Sequence, residues 1–226
     1  MAITVAQAQA DCVAIFNAMS AGTKTLRYLQ KANDYLATKL PLSLTSEDIT
    51  TIVAGTREYA VSALMKRLWS AEWVMSSADG DSYDLKATSI PALNNSNPSW
   101  RRAPQGRPTR RYLSLSGDSV VIGLDPKPNL STSGGYPLLR LYESRTTTLA
   151  TDGNLPANIL SAAAHVFYAC WLHAVDNQIG DRIDTLWNAF QTALQMELDA
   201  SAAAGFADVQ DPPSLTPDWL RVGPAV

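Results

Sequence analysis

The stretch NLPANILSAAAHVFYACWLHAVD, residues 154–176, predicts the helix around which the fold is built. Between Ile159 and Val175 its apolar residues fall on every side of a helical wheel instead of forming one stripe. A helix that is apolar all round is buried all round, in a protein core or in a membrane. Two histidines, a tyrosine and many alanines make it a poor bilayer segment. We therefore expect a core helix with Pro156 in its first turn and other helices packed around it.

Three helical patterns precede this core helix. The first begins at Thr4, which with Gln7 forms a capping box, and its apolar residues extend to Met19. The second pattern stops before Pro41, because the residue before a proline disfavours helical backbone. The third is expected to be a long helix over residues 45–73, which would make the first third of the chain helical.

One helical pattern follows the core helix. Gly180 is expected to mark the end of the core helix or a kink in it. An amphipathic stripe then runs toward residue 205 and consists of Ile183, Leu186, Trp187, Phe190, Leu194 and Leu198.

β-structure is predicted between the two helical regions. Residues 83–87 are expected to form a short strand, and residues 91–108, rich in proline, asparagine and serine, a long exposed loop. Three further apolar runs begin at Tyr112, Val120 and Tyr136 and are separated by glycine and proline turns. This spacing predicts a three-stranded antiparallel meander.

Charge is sparse in this chain and unevenly distributed. Charged residues make up 17% of it, below the usual value of about 25%, which suggests that partners cover part of the surface. The net charge of -3 argues against a general nucleic-acid binder. Residues 85–117, however, hold six basic and no acidic residues, whereas eight acidic residues and two arginines follow Val175. This asymmetry favours head-to-tail association between copies, or docking to charged partners.

The positive charge is concentrated in RRAPQGRPTRR, residues 101–111, with Lys86 nearby. The candidate docking residues are Trp100, Arg101, Arg102, Arg107, Arg110 and Arg111. Arginine pairs well with carboxylates and phosphates, so we interpret the segment as a docking loop for an acidic protein or for DNA phosphate. Trp100 would stack on a base or anchor in a protein pocket. The alternative is a solubilising loop. Single-stranded nucleic acid fits less well, because only Trp100 and Tyr112 could stack on bases.

Catalytic and metal-binding patterns are weak. His165 and Cys170 would point about 140° apart on one helix and could not share an ion, so both histidines, His165 and His173, are expected to be core or interface residues. Nucleophile elbow, phosphate-cradling loop and zinc-protease motifs are missing, so we expect no enzyme, cofactor or metal. Cys12 and Cys170 are expected to be buried packing thiols. The first residues lack a secretion-signal pattern, so we expect synthesis in the cytoplasm.

The last segment, residues 206–226, has four prolines and no periodicity. Such a segment cannot by itself bury enough surface to offset the entropy lost on ordering. We expect it to dock on a neighbouring subunit or another protein, with Trp219 as the anchor beside Leu220, because a buried tryptophan often contributes about 2 kcal/mol or more to an interface. The alternative is that the segment folds back on its own domain.

A set of residues in the β-region and at the start of the core helix resembles a recurring pattern. The set is Pro108, Tyr112, Gly117, Leu124-x-Pro126-x-Pro128, Leu139-x-Leu141-Tyr142, Leu149 and Leu155-Pro156. It is similar to the head-to-tail adaptor (connector) proteins of tailed bacteriophages, in which a small β-structure interrupts a helical bundle. In layout the resemblance covers residues 80–200, and the proline-rich loop corresponds to no element of that family.

Together these patterns predict an α+β, mainly helical fold with four parts. Residues 1–78 would be the N-terminal helices of a bundle, and residues 79–150 an inserted antiparallel β-meander with the long basic loop. Residues 151–205 would be the C-terminal helices of the bundle, and residues 206–226 an extended docking tail.

The resemblance also implies a function. It implies a structural virion protein of the phage neck, made in the host cytoplasm, whose copies form a ring, dodecameric in such adaptors. The ring would join the portal protein to tail proteins and extend the channel for double-stranded DNA, which passes without sequence-specific contact. No membrane is involved. Two alternatives stay open at this point: a tail terminator or tail-tube completion protein, and, from another class, a cytoplasmic DNA-associated or hydrolytic protein.

Overall fold

The computed structural model describes residues 3–19, 22–42, 44–77, 81–117, 119–145 and 147–204. These residues form both helices and strands, which confirms the α+β class. The helices are α1 (Val5–Ile15), α2 (Thr23–Leu36), α3 (Ile90–Ser96), α4 (Ala163–Asp176) and α5 (Gly180–Ala203). The strands are β1 (Leu44–Ile49), β2 (Glu58–Ala60), β3 (Met65–Val74), β4 (Ser82–Asp84), β5 (Lys86–Ala87), β6 (Arg110–Ser116), β7 (Ser119–Asp125) and β8 (Leu138–Arg145).

The chain divides into two compact units. Among the described residues, unit 1 takes in the chain up to Thr45, Leu64–Arg67, and the chain from Glu143 onward. Unit 2 takes in Ser46–Ala63 and Leu68–Tyr142. Unit 1 therefore contains α1, α2, α4 and α5, and unit 2 contains the candidate docking residues of the basic segment.

Helix α4 is the buried centre of unit 1, as its sequence predicts. It packs against α1, α2 and α5. Tyr168 lies in a group of aromatic side chains, with ring centroids 4.7 Å from Tyr35 and 4.9 Å from Phe190. Cys12 and Cys170 are both buried free thiols, and the Cys170 Sγ lies 4.0 Å from the Cys12 carbonyl oxygen. The expectation of packing thiols is confirmed.

The boundaries of the last two helices differ from the sequence expectation. Helix α4 begins at Ala163 and not at Pro156, and Gly180 begins α5. The residues before α4 are held in another conformation, because the Leu155 N–H donates to the Ile3 carbonyl at 2.8 Å and residue 154 forms a β-bridge with Thr4. The expected N-terminal cap is confirmed for α1, where the Thr4 hydroxyl accepts the Gln7 N–H, but α1 ends at Ile15.

The expected long helix over residues 45–73 is wrong, since β1, β2 and β3 lie there. Two members of its apolar stripe, Val53 and Leu64, are 48% and 55% exposed, so the predicted stripe is not a continuous buried face. Gly55 has a φ of 82°, a left-handed conformation that also interrupts a helix. The first third of the chain is therefore partly β-structure.

The strands form two four-stranded sheets instead of one meander. Their orders are β1-β8-β3-β4 and β2-β7-β6-β5. The hairpin of β6 and β7 agrees with the prediction, but β8 pairs in the other sheet. The expected strand over residues 83–87 is divided between β4 and β5, which belong to different sheets. The expected loop 91–108 also contains most of α3 and a 3-10 turn, Trp100–Arg102.

Candidate docking surface

Trp100 lies inside unit 2 and not on its surface. It is 1% exposed and packs with Leu93 and Tyr112, whose ring it meets edge to face at 5.4 Å. Its indole N–H donates to the Asn94 side-chain oxygen at 2.8 Å. The buried ring has its polar atom satisfied, so Trp100 serves the core of this unit and cannot itself stack on a base.

The guanidinium groups of Arg57 and Arg101 both lie against the Trp100 ring. Their central carbons are 4.6 Å and 4.5 Å from the ring centroid, distances typical of cation–π contacts. Arg101 also donates to Asn94 at 3.2 Å and remains exposed. The packing of Trp100 therefore fixes the position of an exposed positive charge.

Arg57 connects the 3-10 turn to the end of β7. It donates to the Trp100 carbonyl at 3.1 Å, to the Leu124 carbonyl at 3.2 Å and to the Asp125 carboxylate at 3.2 Å. The other Asp125 oxygen accepts from Arg110 at 2.6 Å. The Asp125 side chain is 4% exposed, so this buried carboxylate is balanced by two arginines.

Arg110 and Arg111 begin strand β6 and have different environments. The Arg110 side chain is 40% exposed, and Arg110 pairs with the exposed Lys86 in the parallel register of β5 and β6. Arg111 is 3% exposed and donates to the Trp69 carbonyl at 3.1 Å. Arg110 thus contributes part of its charge to the surface, whereas Arg111 is an internal residue.

Arg102 and Arg107 are the remaining exposed members of the segment. The Arg107 guanidinium lies 4.2 Å from the centroid of the Tyr83 ring, and the Tyr83 hydroxyl donates to the Pro108 carbonyl at 2.7 Å. We define the basic surface as Lys86, Arg101, Arg102, Arg107 and Arg110. Two of its arginines, Arg101 and Arg107, are held on aromatic rings.

Sequence reasoning did not single out Arg57, Asn94 or Asp125. Arg57 was hidden because its segment was assigned to a helix, where a lone arginine is an ordinary surface residue. Asp125 was interpreted only as part of a turn after β7. The available signal was that this acidic residue follows an apolar strand at the point where the chain must turn.

Both histidines of the α4 sequence are core residues. His165 is fully buried, and its Nε2 lies 3.4 Å from the Asn33 side-chain oxygen. Burial lowers the pKa of His165 to about 4. The His173 ring meets Phe16 edge to face at 5.2 Å and accepts from the Asn177 side-chain amide at 3.1 Å. Within the described part of the chain no three His, Cys, Asp or Glu side chains are grouped so that they could hold a metal ion.

Two further expectations concern the anchors of the tail and the absence of a membrane. Trp219 and Leu220, the expected anchors of the tail, lie outside the described residues. A search of the helices in the described segments finds none with the length and apolar character needed to cross a membrane.

The chain was also compared with known proteins. No curated protein matches it. The sequence model of a family described as SU10 adaptor protein matches residues 3–213, a segment that contains all the described helices and strands. This match agrees with the resemblance to phage head-to-tail adaptors noted in the sequence. The chain therefore belongs to the SU10 adaptor protein family.

Proposed function

We propose that this protein is a ring-forming head-to-tail adaptor in the virion of a tailed phage. Copies of it bind the portal protein, receive the tail proteins and extend the channel through which double-stranded DNA passes. The observation that carries the proposal is the family match over residues 3–213, because it takes in both compact units and makes the protein a phage adaptor. An adaptor of this kind is a structural component, and its role requires neither a cofactor nor a reaction.

The basic surface supports a docking role for unit 2. An arginine held on an aromatic ring has less conformational freedom to lose when it binds, so part of the entropy cost of association is already met. Arg101 on Trp100 and Arg107 on Tyr83 have this arrangement. Their outward N–H groups suit carboxylates or phosphates of a partner. In a ring the surface recurs once per subunit, which multiplies the local positive potential.

The tail segment is the second proposed docking element. Its prolines and the Trp219-Leu220 pair suit an extended segment that lies on a neighbouring subunit, the portal or a tail protein. The family match ends at residue 213, before this pair.

The proposal is tested by imaging the purified protein alone, with the portal of the same phage, and with its tail tubes. We expect closed rings, of twelve subunits, stacked on the portal in negative stain. Rings that cap tail tubes and ignore the portal would instead favour a tail terminator. Monomers in all three samples would contradict the proposal.

A further inference from the structure

The outward face of α5 carries an acidic stripe. Exposed polar residues recur there at spacings of three and four, so they lie on one side of the helix. They are Asp181, Asp184, Asn188, Gln191, Gln195 and Asp199. The stripe spans 18 residue steps, or about 27 Å at the rise of an α-helix.

No positive charge of α5 belongs to this stripe. The only arginine of the helix, Arg182, donates to the Ile15 carbonyl at 2.9 Å, and its guanidinium lies 5.0 Å from the centroid of the Phe16 ring. Asp199 accepts a hydrogen bond from Gln195 at 2.7 Å, which leaves its charge unbalanced. Within the described segments, neither Asp181 nor Asp184 has an ion pair. The stripe is therefore negative at its two ends, at Asp181 and Asp184 and at Asp199, with neutral amide side chains between them.

We propose that the basic surface of one copy docks on the acidic stripe of α5 in a neighbouring copy. The inference rests on the proposed ring and specifies which faces of adjacent subunits meet. Three exposed arginines, Arg101, Arg102 and Arg107, face three exposed aspartates of the stripe. Each arginine can pair with a carboxylate through two parallel N–H groups.

A second copy suits the basic surface better than DNA does. The chain has a net charge of -3, so a polyanion would be repelled by most of the molecule while attracted by one patch. A neighbouring copy offers the carboxylates of Asp181, Asp184 and Asp199 without a field of phosphates around them. The two faces have opposite sign and occur once each in every chain, which is the requirement for a head-to-tail contact.

This kind of contact leads to a ring. An interface that joins two different faces of the same protein leaves one free face of each kind after every addition. Subunits are added until the rotation between neighbours brings the last copy against the first and closes a ring. Charge complementarity also sets the order of faces, because two basic surfaces or two acidic stripes repel each other.

The test uses two charge-reversal variants of the full chain. The basic variant combines Arg101→Glu with Arg102→Glu, and the acidic variant combines Asp184→Lys with Asp199→Lys. A matched control combines Arg27→Glu with Lys66→Glu, two exposed cations of unit 1 outside both faces, which change the net charge as the basic variant does. Circular dichroism and thermal unfolding establish that each variant is folded. Sedimentation velocity at about 50 mM and about 200 mM salt then measures self-association.

We expect the wild type and the control to self-associate, more strongly at the lower salt concentration. Each reversal variant should associate at least about tenfold more weakly, since attraction is replaced by repulsion. An equimolar mixture of the two variants should regain self-association, because the intact faces still dock on each other and the two reversed faces are again opposite in charge. The acidic variant still has an intact basic surface, and the basic variant still has an intact stripe.

Three results would overturn the inference: wild-type association by either variant alone, a mixture of the two variants that associates no more strongly than each alone, or a wild type that remains monomeric at every concentration. A fourth is a basic variant that self-associates normally but loses binding to a mixed-sequence DNA duplex, which would assign the surface to DNA. Imaging with the portal separates this inference from the proposed function. Rings formed by both variants refute only the inference, whereas no rings from the wild type refute the adaptor role.

Discussion

The ring of Tyr112 lies over the backbone of Gly123, its direct partner across strands β6 and β7. A β carbon on Gly123 would overlap the ring atoms. We therefore expect Gly123→Ala to lower the free energy of unfolding by about 3 kcal/mol, since the ring must move and disturb its contact with Trp100. Thermal unfolding followed by circular dichroism measures this change.

The control for that substitution is Gly180→Ala. A β carbon on Gly180 would meet no atom within 4 Å, and the residue begins α5. This substitution should leave stability unchanged or raise it by about 0.5–1 kcal/mol, because alanine favours the helix. An equal loss of stability in both variants would show that the Tyr112 ring is not the cause.

Removing the buried charge of Asp125 should destabilise unit 2. In Asp125→Asn the arginines Arg57 and Arg110 lose their shared carboxylate, and Arg57 remains largely buried. We expect a loss of about 3 kcal/mol in the free energy of unfolding, measured in denaturant. The comparison is Asp48→Asn, which breaks the ion pair with Arg140 between side chains about one-third exposed and should cost about 1 kcal/mol or less. Similar losses in the two variants would contradict the assignment.

Glu197 holds the segment before α4 although it lies near the end of α5. Its two carboxylate oxygens accept the N–H groups of Leu160 at 2.8 Å and Ser161 at 3.0 Å. Glu197→Ala should cost about 1–3 kcal/mol, because the two N–H groups lose their acceptor. In this variant the Leu160 and Ser161 amides should exchange hydrogen faster than in the wild type, whereas amides in the middle of α4 should exchange as before. Unchanged exchange at both amides would refute the role.

Stability should fall in mild acid because His165 is buried in its neutral form. The pKa of His165 is lowered to about 4 by burial, whereas in the unfolded chain it has the ordinary value near 6.5. Between pH 6.5 and pH 4 His165 is therefore protonated in the unfolded state but neutral in the folded state. The free energy of unfolding should decrease by about 3 kcal/mol between pH 6.5 and pH 4 and then level off.

The measurement for His165 compares the wild type with His165→Gln in denaturant at several pH values. The pKa of His173 is also lowered, by burial and by Lys24, with Asp176 acting in the opposite sense. His173 adds a slope of the same sign to both proteins. Only the difference between their slopes reports on His165, and equal slopes would contradict the prediction.

Deletion of residues 207–226 should leave a folded subunit that no longer attaches to its ring or to the portal. The deleted segment begins beyond the end of α5 at Ala203, so every described helix and strand remains in the truncated chain. A pull-down with the portal measures attachment, and circular dichroism checks the fold. Trp219→Ala in the full chain should show most of the same loss. Normal attachment by the truncated protein would count against the docking tail.

The helices of unit 1 were largely predictable, because burial on all sides leaves a distinct pattern in sequence. Helix α4 is apolar all round, and α5 has a clear stripe. The start of α4 was not predictable, since Glu197 holds Leu160 and Ser161 from 36 residues away or more. A contact of this kind leaves no local signal near Pro156.

The strands before β4 were mistaken for a helix because a few apolar residues matched a helical spacing by chance. Leu68, Trp69 and Trp73 are all buried, but by the sheet around β3. The place of β8 was also beyond local reasoning. Residues between β7 and β8 pair elsewhere: the Thr132 N–H donates to the Ile52 carbonyl at 2.9 Å, and the Asn129 N–H to the Gly106 carbonyl at 3.1 Å. Because of these contacts the chain leaves the hairpin of β6 and β7 before β8 begins, and β8 pairs in the other sheet.

The basic segment was predictable from its composition, but which of its arginines are buried and which are exposed was not. Sequence alone treats the arginines as equivalent, whereas Arg111 is internal and Arg102 is exposed. The difference follows from tertiary structure, because Arg111 donates to the Trp69 carbonyl whereas Arg102 lies in the 3-10 turn Trp100–Arg102.

The position of Trp100 beneath Arg101 has a consequence for how this face presents its charge. Replacing the indole with a smaller side chain would leave every arginine in place and the total charge unchanged. The Arg101 guanidinium would then adopt more conformations, and its positive electrostatic potential would be spread over a larger area. The buried and uncharged Trp100 side chain thus concentrates the positive potential that a partner encounters at Arg101.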